Sequence, residues 1–515
     1  MLHVDIILKN QRLDGYMKQV LGGNNTNKAE AVKSLISTAT QYSDLPHLAA
    51  SCWVWAADLE VDQNKSRGYL GKALEIKGLD KGYQEVIEDR SLFSPLQRKP
   101  WPAKIVPPAG MEKSPGPWSD LSDLAVWPNT TSRSNSDPWL AEHHDQIKVM
   151  RPRVLLINFS NEHSRSHLDR LTQLLLRALA ESSRYHGYRD PQAPPFLNYQ
   201  VFKFVDLRDA DRKVGNSRKT PIKNPDARTG FNMKYRQYFS PEFAEYYAVP
   251  DPRDPKRFLR LDELLDGGYV HEVWFFDSGN GKERPHIGAY EVVEEKPKYD
   301  ANFKKIGNAW VQAGNGGDPE QPWVGRSVRI GNINASRGIG CFLESLAHGV
   351  EGNSNSGAIP YFTQYFREYA DFDLKKRYGL PFDSLYGVNY AGEQIRYPDE
   401  KTMIVKHGGK EYKVENYQPV GGNAHFPPNA RSHYDLGNST PVLSTIEGWR
   451  IGSGPGGKDI AKRFTNQAFR DYRDMAPDCM GAWLIYWRQN MPGLNNKQKD
   501  NNGKPMKNWL PFLFY

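Results

Sequence analysis

Apolar residues between positions 26 and 90 recur every three or four residues. They do so in AEAVKSLISTATQY, HLAASCWVWAADLE and YLGKALEIKGLDKGYQEVIEDR. This spacing gathers apolar side chains on one face of a helix. The sequence therefore predicts a small helical N-terminal domain over residues 1–93.

After residue 150, continuous apolar runs alternate with amphipathic segments. The runs RVLLINF, YQVFKFVDL, HEVWFFD and SVRIGNIN predict buried strands, and LDRLTQLLLRALAESSRY, RLDELLDGGY and GIGCFLESLAHGVEG predict helices. Strands that are apolar on both faces and alternate with helices are typical of a parallel sheet covered on both sides. We expect residues 149–515 to form one α/β domain around a mostly parallel, doubly wound sheet.

Residues 94–148 separate these two regions and are rich in Pro, Trp and Ser. Proline fixes φ and has no amide hydrogen to donate, so prolines repeated along a segment disfavour helices and sheets. We predict a linker here.

Residues beyond about 360 are rich in Tyr, Gly and Asn and are expected to form long loops and a cap. Helices are predicted in YFTQYFREYADFDLKKRYG and KDIAKRFTNQAFRDYRDMA. MIVKHGGKEYKVE predicts a β-hairpin that turns at His407-Gly408-Gly409.

Charge and composition narrow the class of protein. The net charge is +8 and the pI is about 9.0, but the basic residues are dispersed, so nucleic acid binding is not favoured. The first residues, interrupted by His3 and Asp5, predict neither a signal peptide nor a membrane span. A cytoplasmic protein and a mature secreted protein fit this pattern equally, and the oligomeric state is open.

The cysteines are Cys52, Cys341 and Cys479. They are too few and too widely spaced in sequence to indicate a disulfide framework or a thiolate zinc site, so we predict buried thiols. A Ser or Cys nucleophile is also not expected, because the chain has no GxSxG motif.

Polar residues follow several of the predicted strands. Ligands of doubly wound sheets bind beyond the carboxyl ends of the strands, which makes these residues candidates for a binding site. They are Asn161, Glu162, His163 and His167 after the first strand, Asp277, His286 and Glu291 after the third, and Asn332, Asn334 and Arg337 after the fourth.

The sharpest local pattern is Glu344, His348 and Glu351, whose spacings of four and three place them on one helical face. A His and a Glu three residues apart can bind one divalent ion and leave a position for water. The alternative is a partly buried His held by a neighbouring carboxylate. No HExxH motif is present.

A second cluster lies in GGNAHFPPNARSHYD (421–435), where a Pro-Pro loop fixes side chains without a helix. His425 is predicted to be a third metal ligand or an oxyanion stabiliser, and Asp435 or Glu344 a base. Equally, the polar residues of this loop can simply hydrogen-bond the loop itself.

These segments resemble a family of bacterial proteins, often exported, that has no established activity. The shared features are VHEVWFFD followed by Gly288-Ala-Tyr290-Glu291, then GNINASRGIGCFLESLAHGVE, GNAHFPPNARSHYDLGN and AWLIYWRQNMPG. The family often has a basic residue after the His, where Gly349 stands here. The resemblance implies that one shared pattern includes Glu291, Asn334, Arg337, Glu344, His348, Glu351, Asn423, His425 and Asn429.

The leading hypothesis is a hydrolase that acts on peptide, amide or glycan-linked substrates through one divalent metal ion, zinc. His348, Glu351 and His425 would bind the metal, Glu344 or Glu291 would act as general base, and Arg337 would orient a carboxylate or carbonyl group. The predicted substrate-binding residues are Asn334, Asn423, Asn429, His163 and Asp277.

Two alternatives remain open. One is a metal-free glycoside hydrolase, in which two carboxyl groups act as acid and as base or nucleophile. Its candidates are Glu291, Glu344, Glu351 and Asp277, with Trp274, Trp310 and Trp323 as sugar platforms. The other is a non-catalytic surface or glycan-binding protein, consistent with an aromatic content of 12%.

Overall fold

The structure is a computed structural model that describes most of the chain after residue 27 and is continuous from residue 337 to Tyr515. The described residues are 28–41, 43–44, 46–60, 62–79, 123–132, 136–158, 163–206, 238–239, 241–277, 292–313, 326–335 and 337–515.

The elements are numbered in chain order. The helices are α1 (Lys28–Gln41), α2 (Pro46–Leu59), α3 (Gln63–Leu74), α4 (Ser136–His143), α5 (Arg165–Ser182), α6 (Pro241–Tyr247), α7 (Leu261–Asp266), α8 (Gly340–Asn355), α9 (Pro360–Tyr369), α10 (Leu374–Tyr378) and α11 (Gly481–Gln489). The strands are β1 (Val126–Trp127), β2 (Val149–Met150), β3 (Arg153–Asn158), β4 (Gln200–Asp206), β5 (Pro250–Asp251), β6 (Asp254–Phe258), β7 (Glu272–Asp277), β8 (Val292–Tyr299), β9 (Lys305–Gln312), β10 (Val328–Asn334), β11 (Ile395–Asp399), β12 (Thr402–His407), β13 (Lys410–Val414), β14 (Val442–Ser444) and β15 (Lys462–Phe464).

The central sheet has the strand order β4-β3-β7-β10-β8-β9. The first four of these strands are parallel, and β8 and β9 continue the sheet in antiparallel pairs. The prediction of a mixed α/β fold with a mostly parallel central sheet is confirmed. The sequence analysis missed β8 and β9, because charged residues and Pro297 interrupt the apolar pattern of VVEEKPKY.

Both faces of the parallel strands are buried, and alternate residues serve opposite sides. Leu156 and Trp274 belong to one apolar cluster, together with side chains of α5 and α8. Leu155 and Val273 belong to a second cluster, together with side chains of α6 and α7. This alternation follows from the two-residue period of a strand, and it explains why these segments are apolar without interruption.

Helix α8 connects the sheet to the C-terminal part of the chain. It follows β10 directly and packs against β8, β10, α9 and α11. Helix α11 is buried at every position, as expected of a helix that is apolar on all sides. One face of α8 is therefore held next to the loops that follow residue 360.

The N-terminal helices α1, α2 and α3 pack against one another in sequence. Part of the predicted linker is described and contains β1 and α4, with Trp127 and Leu140 buried. The predicted boundaries at residues 93 and 148 remain predictions. No helix in the described ranges is long and apolar enough to cross a bilayer.

The predicted β-hairpin is confirmed: β12 and β13 pair up to His407 and Lys410. Gly408 and Gly409 both have positive φ, of 56° and 77°, the conformation that a two-residue hairpin turn requires. The helix predicted over residues 458–476 is wrong. Strand β15 and a 3₁₀ turn (Asn466–Tyr472) replace it, because the apolar residues of this segment pack in an irregular loop.

Candidate functional site

Helix α8 presents Glu344, His348 and Glu351 on one face, as the spacing predicts. Glu344 is fully buried, whereas 15% of the His348 side chain is exposed. The residue at the N-cap position of α8, Ile339, makes no side-chain capping hydrogen bond. Asp478 caps the helix instead, because its carboxylate accepts hydrogen bonds from the amides of Gly340 at 2.8 Å and Cys341 at 3.3 Å. The start of α8 is therefore fixed by the segment that precedes α11.

The loop 421–435 lies opposite this face and is tied down from several sides. Asn423 accepts hydrogen bonds through Oδ1 from the amides of His425 and Phe426, both at 3.1 Å. The indole of Trp483 donates to the carbonyl of Asn423 at 3.0 Å. These bonds fix the backbone of His425 and therefore the direction of its imidazole.

Three ligand atoms of these two segments converge. The Nε2 atoms of His348 and His425 are 3.0 Å apart. Glu344 Oε1 lies 3.2 Å from His425 Nε2 and 3.6 Å from His348 Nε2. Ligands at the corners of a zinc tetrahedron, with bonds of about 2.0–2.1 Å, are about 3.3 Å apart. The three observed separations bracket this value, so these residues fit a tetrahedral metal site.

The other nitrogen of His348 is held by a carboxylate. Nδ1 lies 2.9 Å from Glu351 Oε2. Glu351 in turn accepts hydrogen bonds from the hydroxyl of Tyr386 and the amide of Ala424, each at 2.9 Å. In the neutral ring, Glu351 therefore keeps the proton of His348 on Nδ1 and leaves a lone pair on Nε2, as the carboxylates behind metal-binding histidines do.

His425 is oriented by a chain of two imidazoles. His433 Nε2 lies 3.1 Å from the carbonyl oxygen of Val388, which can only accept. The neutral His433 ring then has its lone pair on Nδ1, 3.0 Å from His425 Nδ1. His425 must donate there, so its Nε2 carries a lone pair that points at His348.

The pKa values show how the cluster balances its charge without a cation. Burial lowers the pKa of His348, but Glu344 and Glu351 outweigh burial and raise the pKa to about 10. Burial also lowers the pKa of His425, and burial together with His425 lowers that of His433 to about 4. One proton, on His348, therefore occupies the place that a cation can take.

Glu344 is the acidic partner of this proton. Burial raises the pKa of its carboxyl group, but the neighbouring imidazoles of His348 and His425 bring the pKa well below its usual range. Glu344 is therefore an anion next to two imidazoles, which is a donor set that suits zinc.

The structure thus brings together Glu344, His348 and His425, whereas Glu351 contacts His348 from behind. Asn429 donates through Nδ2 to the carbonyls of Asn438 and Thr440, at 2.7 and 2.9 Å. Its contacts, like those of Asn423, hold the loop.

Asp435, predicted as a possible base, instead accepts hydrogen bonds from the amide and the guanidinium Nε of Arg431, at 2.9 and 2.7 Å. It therefore also serves the loop. The carboxylate that faces the two imidazoles is that of Glu344.

Two residues predicted at the sheet edge, Asn334 and Arg337, precede the start of α8. Asn334 is buried and is paired in register with Asp277, whose side chain lies outside the described part. Arg337 is buried near the start of α8. Burial raises the pKa of the neighbouring Asp478, and the positive charge of Arg337 opposes this rise. A rise of about 1.5 Å per residue places His348 about 12 Å along the helix from Gly340.

His163 is also buried, and its ring stacks on that of His167 with centroids 4.8 Å apart. Other candidates fall outside the described residues. These are Glu291, Asn161, Glu162, His286 and Trp323, together with the side chains of Asn332 and Trp310.

The sequence analysis overlooked two cysteines near Glu344. The ligand atoms of Cys341, Glu344 and Cys479 all lie within 4.8 Å of one another. The expectation that the cysteines lie too far apart to share a site is wrong for this pair, because it was based on sequence distance. Cys341 precedes Glu344 by three residues, and this spacing alone places both on one helical face.

The chain matches no protein-family model, no curated protein and no solved structure. The resemblance seen in the motifs therefore remains a prediction. The case for a function has to come from the geometry of the cluster.

Proposed function

We propose that the chain is a hydrolase that uses one zinc ion bound by Glu344, His348 and His425. The observation that carries the proposal is the 3.0 Å separation of two imidazole Nε2 atoms, each of which has its lone pair fixed by a hydrogen bond at Nδ1. Two lone pairs so close repel each other unless a proton or a metal ion lies between them. Nitrogen donors with one carboxylate are typical of catalytic zinc sites.

The residues of the chain divide the work in this proposal. A bound zinc ion would lower the pKa of a water molecule to about 7 and polarise a substrate carbonyl. Glu344 compensates part of the charge, and Glu351 and His433 hold the two imidazoles in the tautomers that bind. His348 is the most exposed of the three ligands, with 15% of its side chain exposed against 6% for His425, so we place the position for water and substrate on its side.

Substrate binding and proton transfer are assigned to the residues that the sequence predicts for these roles. We retain Glu291 as the general base, because Glu344 serves as a ligand in this scheme. Arg337 would orient a carboxylate or carbonyl group, and Asn334, His163 and Asp277 would contact the substrate. Peptide bonds, other amides and glycan-linked acyl groups all contain a carbonyl that such an ion would polarise.

Metal analysis and turnover test the proposal together. Purified full-length protein should retain zinc, and hydrolysis in a panel of peptide, amide and acylated glycan substrates should stop with a chelator and return with zinc. His348→Ala should abolish zinc retention and hydrolysis. His143→Ala, which removes an imidazole outside the cluster, should change neither zinc retention nor hydrolysis. A folded protein that binds no divalent ion would contradict the proposal.

The metal-free glycoside hydrolase has less support. Glu344 and Glu351 contact opposite nitrogens of the same imidazole, at 3.6 and 2.9 Å. The His348 ring therefore occupies the space that a sugar would need between this pair of carboxyl groups. The alternative would have to use Asp277 and Glu291, and a glycosidase active after exhaustive chelation would support it.

We also propose that the central sheet is doubly wound and that α1, α2 and α3 form a separate small domain. The burial of both faces of β3 and β7 supports the first point. The mutual packing of the three helices supports the second. Limited proteolysis should release a stable fragment that begins near residue 123, and cleavage spread over the whole chain would argue against a separate domain.

A further inference from the structure

A second group of metal-ligating atoms lies on the other side of Glu344. Its Oε1 atom faces the two imidazoles, and its Oε2 atom accepts a hydrogen bond from the thiol of Cys479. Cys341 completes a group whose three ligand atoms all lie within 4.8 Å of one another. Both cysteines are present as thiols. A carboxylate has two oxygens, so Glu344 is placed to bridge two cations.

Two helix starts meet at this group. Cys341 lies in the first turn of α8, and Cys479 lies two residues before α11. A Cβ atom on Gly481 would come within 2.9 Å of the Gly340 Cα atom, so the two starts touch. The amide groups at a helix start favour negative charge, so this position suits anionic ligands.

The backbone holds Cys479 in an unusual conformation. Its φ is 49°, in the left-handed region that side chains other than Gly, Asn and Asp seldom adopt. Cys341 is buried and Cys479 is half-buried, so the group is reached from the side of Cys479.

The donor set defines the class of ion. Two thiolates and one carboxylate suit a soft or borderline cation such as Zn²⁺, Cd²⁺ or Co²⁺ rather than Mg²⁺ or Ca²⁺. With metal–sulfur bonds of about 2.3 Å, two thiolates of one tetrahedron are about 3.8 Å apart. The ligand atoms of the present group all lie within 4.8 Å of one another, at most about 1 Å beyond that spacing. Binding would release the protons of both thiols to solvent. It would also move the Cys479 sulfur about 1 Å away from Glu344 Oε2, because these atoms are 2.5 Å apart here, whereas a sulfur and an oxygen ligand of one ion are about 3.5 Å apart.

We propose that Cys341, Glu344 and Cys479 form a second, thiolate-containing site for a soft divalent cation, bridged through Glu344 to the site of His348 and His425. It goes beyond the proposed hydrolase function and shares only Glu344 with it. Two cations so bridged can hold one water or substrate oxygen between them, as two-metal hydrolases do.

Cobalt titration of the reduced, metal-stripped full-length protein tests the second site, because thiolate ligands give Co²⁺ an intense near-ultraviolet charge-transfer band. The wild type should bind two equivalents and develop the band. Cys479→Ser and Cys341→Ser should each lose the band and one equivalent. Cys52→Ser is the matched control and should keep both, because burial raises the pKa of that thiol to about 12.

His425→Ala separates the two proposals. If it removes one equivalent and leaves the band, both sites exist. If no imidazole-dependent equivalent is found but the band persists, the zinc hydrolase fails and the thiolate site stands. A wild type that is saturated with Co²⁺ and shows no band, or a band that survives in the Cys341→Ser, Cys479→Ser double variant, overturns the second site.

Discussion

Polar side chains concentrate in two regions of this molecule, at the carboxyl edge of the parallel sheet and along helix α8, and their contacts differ in kind. At the edge they close the ends of the elements: His167 Nε2 bonds the carbonyl of Ala335 at 2.8 Å, and Asn158 donates to Asp206 at 3.1 Å. Along α8, in contrast, two imidazole nitrogens and a carboxylate oxygen face one another, and the proton of His348 lies among them.

The difference separates contacts that pair a donor with an acceptor from contacts that need a proton or a metal ion between them. A buried hydrogen bond between a ring nitrogen and a carbonyl needs nothing further. Two ring lone pairs 3.0 Å apart need a proton or a metal ion. A count of polar residues does not distinguish the regions, whereas the direction of donors and acceptors does.

The largest expected effect comes from removing a ligand of the cluster. His425→Ala should weaken zinc binding more than about 100-fold, since loss of a ligand exceeds the usual effect of losing a residue behind one. Competition with a chromophoric chelator measures the affinity. The comparison between the two regions fails if His163→Ala, at the sheet edge, weakens zinc binding to the same degree.

Next in size is the loss of the carboxylate that orients His348. Glu351→Gln should weaken zinc binding about 10- to 100-fold and leave the stoichiometry unchanged. The Glu351 carboxylate fixes the tautomer of His348 and does not itself bind the ion. The same competition assay gives the value. Complete loss of the ion in this variant would instead make Glu351 a direct ligand.

The pH dependence of binding should report the proton on His348. Glu344 and Glu351 raise the pKa of this residue to about 10 against the opposing effect of burial, so zinc must displace a proton at any lower pH. Affinity should therefore rise with pH, by about tenfold per unit between pH 7 and 9. Calorimetry in buffers of different ionisation enthalpy counts the released proton, and binding without proton release would show that His348 is neutral.

The smallest effect on the metal is expected at the sheet edge. His167→Ala removes a buried hydrogen bond to Ala335 and should lower the free energy of unfolding by about 1–3 kcal/mol, with zinc affinity unchanged. Urea denaturation of the metal-free protein measures the stability. A variant of full stability that binds zinc poorly would move the proposed site to the edge.

The sequence predicted the parallel strands because burial on both faces leaves an uninterrupted apolar run, as in RVLLINF. It also placed Glu344, His348 and Glu351 on one face, since helical spacing is local. It could not show which of the carboxylates of Glu344 and Glu351 faces His425. Tyr386 and Ala424 hold Glu351 behind His348. Those contacts depend on how distant loops fold.

The pair of cysteines illustrates the same limit. Cys341 and Cys479 are far apart in sequence and meet only because Asp478 caps α8. The three-residue spacing of Cys341 and Glu344 can be read in the sequence, but no sequence pattern places Cys479 near them. The switch-point rule for parallel sheets directed attention to the strand ends, whereas the densest cluster lies about two helical turns further along α8.

Anomalous diffraction at the zinc edge, from crystals grown with zinc, tests the central claim most directly. The account predicts a peak about 2.0–2.1 Å from the Nε2 atoms of both His348 and His425, with an oxygen of Glu344 as third ligand. A map without a peak between the two imidazoles, in crystals that contain zinc at other positions, would contradict it.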